Sequence, residues 1–299
     1  MGHGHDHAPA RYDRSFAIGI ALNVAFVGVE LAFGIVADSL ALIADAGHNL
    51  SDVLGLLLAW GAFRLAQRAP SRRYTYGLRR ATILAALLSA VILLVALGAI
   101  AWEALGRFGS PPDVQSETML VVGAVGVVVN TLTALLFVRD RDKDLNIRGA
   151  FLHMAADAAI SLAVVVAGVA ILATGWSRID PALSLAIVAA ILFWAWGLLR
   201  DSVGLSLDAV PKGIDLEQVD AWLRAKPGVA DVHDLHVWAM STTETALTAH
   251  LIMPDGDSDG FLQQLAAELD DRFHIHHSTV QIERAPSHGE CRQAPSDVV

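Results

Sequence analysis

Cysteine and charge are both scarce in this chain of 299 residues. The single cysteine, Cys291, rules out an internal disulfide and fits a reducing compartment. Charged residues make up 17% against 54% hydrophobic, with a mean hydropathy of +0.49. Those proportions disfavour a soluble globule and fit a chain that crosses a bilayer several times. The net charge is -10, and no basic face interleaved with aromatics occurs, so nucleic acid is not an expected partner. The opening stretch MGHGHDHAPARYDRS lacks the apolar run of a signal peptide. No His-Glu-x-x-His sequence is present, which removes the usual acid/base signature of a zinc protease.

Long apolar runs are plentiful. Six are long enough to span a membrane, at roughly 15–36, 40–63, 81–105, 118–138, 149–174 and 181–200. The link Ala37-Asp38-Ser39 is so short that the first two predicted helices form a hairpin. Gly34, Gly55, Gly61, Gly123 and Gly126 are candidate points of close helix approach. Basic residues are unevenly spread over the loops. Arg11 and Arg14 precede the first span; Arg64, Arg68, Arg72, Arg73, Arg79 and Arg80 follow the second. Arg139, Arg141, Lys143 and Arg148 follow the fourth, and Arg200 and Lys212 follow the sixth. The alternate loops hold only Arg107 and Arg178. The positive-inside rule therefore predicts both termini in the cytoplasm.

Past about Leu207 the pattern changes. Asp215–Arg224 reads as an amphipathic helix, Val229–Trp238 and Thr245–Met253 as alternating strands, Asp259–Phe273 as a second helix and Ser278–Arg284 as a third strand. The expected organisation is a His-rich tail over 1–14, a six-helix membrane domain over 15–206, a small cytoplasmic α+β domain over 207–285 and a flexible tail over 286–299.

Within the spans one pattern repeats. His48 and Asp52 are four residues apart in the second, and His153 and Asp157 four apart in the fifth. Four residues is about one helical turn, so each pair projects from one helix face. Ionisable groups at membrane depth cost roughly 2.5–3.5 kcal/mol each and need a reason to be there. Two imidazoles and two carboxylates make a four-coordinate nitrogen/oxygen set of the kind Zn2+ favours. With both carboxylates ionised, a bound Zn2+ would bring the site to zero net charge. Co2+ and Cd2+ are further candidates, whereas an all-oxygen site would suit Mg2+ or Ca2+. A histidine must be neutral to bind metal, so protons compete with the ion, which is a recipe for metal/proton antiport. Asn23, Glu30 and Asn130 are expected to bond between helices rather than line the path, Asp38 and Asp45 to lie near the outer hairpin and attract cations or cap the second helix, and Asn49 and Ser51 to orient the ligands.

Four stretches, SLALIADAGHNLSD, RRYTYGLRRATIL, NIRGAFLHMAADA and HDLHVWAMS, occur in this order. In them the chain resembles the cation diffusion facilitators, zinc-type divalent-metal transporters. The resemblance runs from Ser15 to about Glu283. It implies six transmembrane helices, a metallochaperone-like (ferredoxin-like) cytoplasmic domain, a homodimer, and metal export by proton antiport with alternating access in a bacterial inner membrane. The family's transport ligands fall on His48, Asp52, His153 and Asp157, and a His in first place implies zinc as main substrate. In the cytoplasmic domain the resemblance matches His233, His250, His276 and Glu283 to zinc ligands. It leaves His236, His274 and His277 as surface or packing residues. Some members carry a further metal site between the second and third helices; here that loop, Arg64–Arg80, holds neither Asp nor His, and no metal is expected there. His288 and Cys291, three apart, form an incomplete zinc pair that His3, His5 and His7 would complete.

The expected function is a secondary transporter that exports Zn2+ in exchange for protons, embedded in membrane lipid, and not an enzyme. The alternatives are a zinc sensor, which would tolerate loss of Asp52 and Asp157, and a membrane metalloenzyme.

Overall fold

The computed structural model describes residues 24–138, 145–256 and 259–284. Two compact units emerge, Met1–Leu57 with Ser89–Gly197, and Leu58–Leu88 with Leu198–Val299.

Six helices carry the apolar runs: α1 (Val24–Val36), α2 (Leu40–Ala66), α3 (Ala81–Arg107), α4 (Ser116–Phe137), α5 (Leu145–Thr174) and α6 (Ile179–Ser206). Five of them, α2 to α6, are long and apolar enough to cross a membrane. The sixth predicted span is α1, whose described part is the shorter Val24–Val36. Large apolar side chains face outward on these helices. Leu56, Leu57, Val95, Phe193 and Trp194 are all exposed, while Leu42, Leu97, Met119, Val122, Val164 and Ile191 form the shared core. That arrangement suits a hydrocarbon solvent, in which close packing rather than water exclusion holds helices together.

Small residues set how closely those helices meet. A Cβ at Gly126 would lie 2.8 Å from both Phe26 Cζ and Ser161 Oγ, so α1, α4 and α5 meet there only because the side chain is missing. Gly34 and Gly123 are similarly close to neighbouring helices, at 3.1 Å. Gly61 has nothing within 4 Å, so the expectation of a close contact there is not met.

The α1–α2 turn is tied on several sides. Asp38 adopts a left-handed conformation (φ 52°). Arg107 donates to the Asp38 carbonyl at 2.7 Å and pairs with its carboxylate at 2.8 Å. Gln115 donates through Nε2 to the Val36 carbonyl at 3.1 Å. The N-terminus of α2 is capped by Asp180 of α6, which accepts from Ser39 Oγ (2.6 Å), the Leu40 amide (2.9 Å) and the Ala41 amide (3.2 Å). A buried carboxylate against three donors at the positive end of a helix dipole is well satisfied.

The second unit contains α7 (Leu216–Arg224), β1 (Asp231–Ala239), β2 (Thr245–Ile252), α8 (Asp259–Phe273) and β3 (His277–Glu283). This matches the predicted helix-strand-strand-helix-strand order. Asp215 caps α7, accepting from the amides of Glu217 and Gln218. The sheet runs β1-β2-β3, antiparallel then parallel. Val219 and Leu223 of α7, Leu265 and Leu269 of α8, and Leu247, Ala249 and Leu251 of β2 share one core. Strand alternation then sends His250 to the face away from that core. Val232 and Val237 of β1 both enter the core despite an odd separation. A bulge between His233 and His236, with Asp234 at φ 51°, makes that possible.

The arginine-rich loop after α2 belongs to the same unit. Arg79 pairs with Glu244, Arg80 with Asp208, and the Thr242 amide donates to Thr82 Oγ1 at 3.1 Å.

Candidate metal centres

Helices α2 and α5 each present one turn of ligands to the other. His48 Nε2 lies 3.6 Å from Asp52 Oδ2 and 3.8 Å from Asp157 Oδ1. His153 Nε2 lies 3.2 Å from Asp52 Oδ2 and 3.6 Å from Asp157 Oδ2. Metal bonds of about 2.0–2.1 Å at tetrahedral angles set neighbouring donors about 3.3–3.4 Å apart. The four observed separations bracket that edge length. The two imidazoles meet edge-on, 6.0 Å between centroids, which leaves both Nε2 atoms turned to the carboxylates.

Exposure is graded across the quartet. The Asp157 side chain is 1% exposed, whereas Asp52 and His153 are 34% and 42% exposed. Both Asp157 oxygens, Asp52 Oδ2 and His48 Nδ1 are buried without a hydrogen-bond donor or acceptor. Unpaired carboxylate oxygens in an apolar interior are costly unless a cation lies between them. The donor set and its spacing fit a divalent ion.

The polar neighbours are arranged differently from the sequence expectation. Asn49 does not reach the quartet; its amide donates to Asp45 Oδ1 at 3.3 Å. Ser51 donates to the Gly47 carbonyl of its own helix at 2.9 Å. Neither therefore orients a ligand through these bonds. Asp45 is wholly buried, and the N-terminus of α2 is capped by Asp180. Asn130 does bond between helices, donating to Ser161 Oγ at 3.4 Å. Asn23 lies outside the described residues.

A second cluster sits on the outer face of the small sheet. His233 and His250 are cross-strand partners, and Glu283 reaches them from β3. His250 Nδ1 is 3.3 Å from His233 Nε2 and 3.3 Å from Glu283 Oε1, and His233 Nε2 is 3.5 Å from Glu283 Oε1. These three donors again stand at tetrahedral-edge spacing. His276 is not with them. Its Nδ1 accepts from the Thr245 amide at 3.4 Å and its Nε2 faces Asp270. Thr245 and His250 are five residues apart on β2, about 16 Å along a strand. The fixed position of His276 at the far end of β2 therefore separates it from the cluster within one chain.

Asp234 was not foreseen. The β1 bulge places its carboxylate 2.9 Å from His236 Nε2 and 3.5 Å from His250 Nε2. A carboxylate on Nε2 holds that nitrogen protonated and frees Nδ1 as a metal donor. The clue in the sequence is an aspartate between two histidines, since Asp tolerates the left-handed backbone such a bulge requires. His3, His5, His7, His288 and Cys291 lie outside the described residues.

Comparison with known proteins places both parts of the chain in one family. Residues 16–205 match the cation efflux transmembrane domain, and residues 211–285 match the cytoplasmic domain of cation efflux proteins. The chain belongs to the cation efflux family, the cation diffusion facilitators. It is 36% identical over 295 residues to the cation efflux system protein CzcD of Alcaligenes sp. (strain CT14), covering 98% of this chain and 92% of that one. It is 36% identical over 297 residues to the zinc transporter ZitB of Escherichia coli (strain K12), covering 97% and 95%. It is 34% identical over 291 residues to the cadmium, cobalt and zinc/H(+)-K(+) antiporter of Bacillus velezensis (strain DSM 23117 / BGSC 10A6 / LMG 26770 / FZB42), covering 95% and 93%. This cation efflux protein is thus a multi-pass membrane protein of a transporter family, not an enzyme.

Proposed function

We propose that this protein exports Zn2+ from the cytoplasm in exchange for protons, by alternating access at His48, Asp52, His153 and Asp157. The observation that carries the reading is the grouping on two facing helices of the membrane segment: His48, His153 and Asp157 bring donor atoms within 4.8 Å of one another, and Asp52 Oδ2 lies 3.6 Å from His48 Nε2 and 3.2 Å from His153 Nε2. A loaded site of near-zero charge reorients in a low-dielectric interior at little electrostatic cost. Protons and zinc compete for the same imidazoles, so an acidic exterior favours release and the cytoplasm favours loading. The names of the relatives, a zinc transporter and a zinc/H(+)-K(+) antiporter, support both the metal and the exchange, and the latter name adds cadmium and cobalt.

The topology that serves this function has six spans, α1 included, and both termini in the cytoplasm of a bacterial inner membrane. Loop charge supports that orientation. The arginine-rich loop after α2 is also bonded to the small domain, which supports placing both on one side of the bilayer. We assign His233, His250 and Glu283 to a cytoplasmic zinc site with Asp234 behind His250. Metal held there regulates or stabilises the transporter. A homodimer fits the cytoplasmic match, whose label denotes a dimer domain.

A zinc sensor without transport is the second reading, supported by the cytoplasmic cluster. Zinc uptake into proteoliposomes by the wild type and by Asp52→Ala and Asp157→Ala separates the two. Transport predicts flux that both substitutions abolish. A well-folded, zinc-binding wild type without flux would leave the sensor.

A further inference from the structure

A cleft of about 630 Å3 lies between α5 and α6. Four alanines line it along α5: Ala159, Ala163, Ala167 and Ala170. Their spacing of three or four residues puts them on one face, so the helix is thinnest along that line. Ala182 and Leu183 line the cleft from α6. Its rim is open, with Leu162 52% and Val166 61% exposed. Among the described residues that line it, only Arg178 is charged. Arg178 and Trp176 stand in the link between the two helices, beyond the Ala170 end of the alanine row.

The cleft has the depth of one leaflet. Ala159 to Ala170 is about 16 Å of helix, roughly half of a hydrocarbon core about 30 Å thick. Trp176 at its end is 60% exposed, as suits an aromatic side chain at the membrane interface. The volume is that of a ligand site, for which about 300–1,000 Å3 is usual, and is too large for a packing defect. Walls this apolar offer water no partners. An acyl chain matches the cleft in both depth and chemistry.

Arg178 decides what sits above the chain. The alternate loops hold one other basic residue, Arg107, and it is tied to Asp38 and Glu103. Arg178 has no such partner among the described residues. Its neighbour Asp180 is committed to Ser39 and to the amides of Leu40 and Ala41. A guanidinium left free beside an apolar cleft is suited to a phosphate. A zwitterionic head group would also need an acceptor for its own cation, and the lining offers no carboxylate.

We propose that this cleft holds one phospholipid with an anionic head group, its acyl chain along the alanine face of α5 and its phosphate on Arg178. A second copy of the chain fits less well. A two-fold contact through the cleft would bring two Arg178 guanidiniums to one surface with no lining carboxylate between them. The proposal rests on α5 and α6 lying in a bilayer, not on the zinc reading.

The test uses the full-length protein, stripped of lipid in detergent and then given phosphatidylglycerol with a photoactivatable diazirine in its acyl chain. Wild type, Arg178→Gln and Ala182→Phe are compared; both positions are exposed, so neither change disturbs the core. Label should map to residues 159–170 of α5 and to Ala182 and Leu183 of α6. Arg178→Gln should weaken the labelling affinity by about 10-fold or more, as expected for loss of a charged hydrogen bond. Ala182→Phe fills the cleft and should abolish labelling there. Label found only elsewhere, or equal in all three proteins, overturns the proposal. Equal labelling by a matching phosphatidylcholine overturns the choice of head group. Glycerol 3-phosphate, a head without chains, should not compete; if it does, the ligand is a free phosphate and not a lipid. Disulfide-linked dimers of Ala182→Cys in a Cys291→Ser background would put a second copy in the cleft and likewise overturn the proposal.

Discussion

Asp157 is almost wholly buried with two oxygens lacking donors, so its charge is tolerable only with a cation against it. Asp157→Asn keeps the shape and removes the charge. Zinc binding at the quartet should weaken by more than about 100-fold, past the roughly 10–100-fold typical of outer-shell partners. Competition with a chromogenic chelator measures this, and unchanged affinity would argue against the site. Asp234 is such an outer partner. Asp234→Asn should cost the cytoplasmic cluster about 10–100-fold in zinc affinity while leaving the strand in place. A third residue gives a pH signature. Arg224 donates to Asp231 and holds its carboxyl below the usual range. The folded value is depressed, so the pair stabilises above the unfolded carboxylate range and its contribution disappears as pH falls through the folded value. Both side chains are about half exposed, which limits the effect to under about 1 kcal/mol. Asp231→Asn should therefore lower denaturant stability slightly at neutral pH, with the difference closing in strong acid. The approach of His48, Asp52, His153 and Asp157 was legible because each pair announces itself by one-turn spacing in an apolar helix. Asp234 was not, since its position depends on a bulge, and the resemblance that assigned His276 to the cluster does not show that it stands at the far end of β2 from His250.

Helices and strands were the more readable scale. Apolar runs with charged ends mark α2 to α6 with small boundary errors, and alternation marks all three strands. Close approach was only half legible. Glycine signals that helices can meet but not which face meets a neighbour, hence Gly126 lies in a tight three-helix contact while Gly61 faces open space. That contrast is testable. Gly126→Ala drives a methyl into Phe26 and Ser161 and should cost about 1–3 kcal/mol. Gly61→Ala should be neutral or stabilising by up to about 1 kcal/mol through helix propensity. Thermal unfolding midpoints in detergent check both; equal shifts would contradict the packing. The α2 cap was invisible in sequence because its carboxylate, Asp180, comes from a helix 140 residues away. The burial of Asp45, three residues before His48, was not legible for a related reason: periodicity gives its face on α2, not its depth.

For the molecule as a whole, the described residues hold two donor clusters. One lies among facing membrane helices, with a buried carboxylate at its base and more exposed ligands above. The other rides on a small sheet whose hydrophobic core is built from both flanking helices. Membership of the cation efflux family rests on matches over both parts of the chain. The central claim is that a proton gradient drives zinc through the first cluster. Its most direct test is zinc flux into proteoliposomes, with and without an imposed pH gradient, for the wild type and Asp157→Ala. The account predicts zinc movement that grows with the gradient, is matched by opposite proton movement, and vanishes in the variant. Zinc flux indifferent to the gradient, or flux that survives Asp157→Ala, would contradict it.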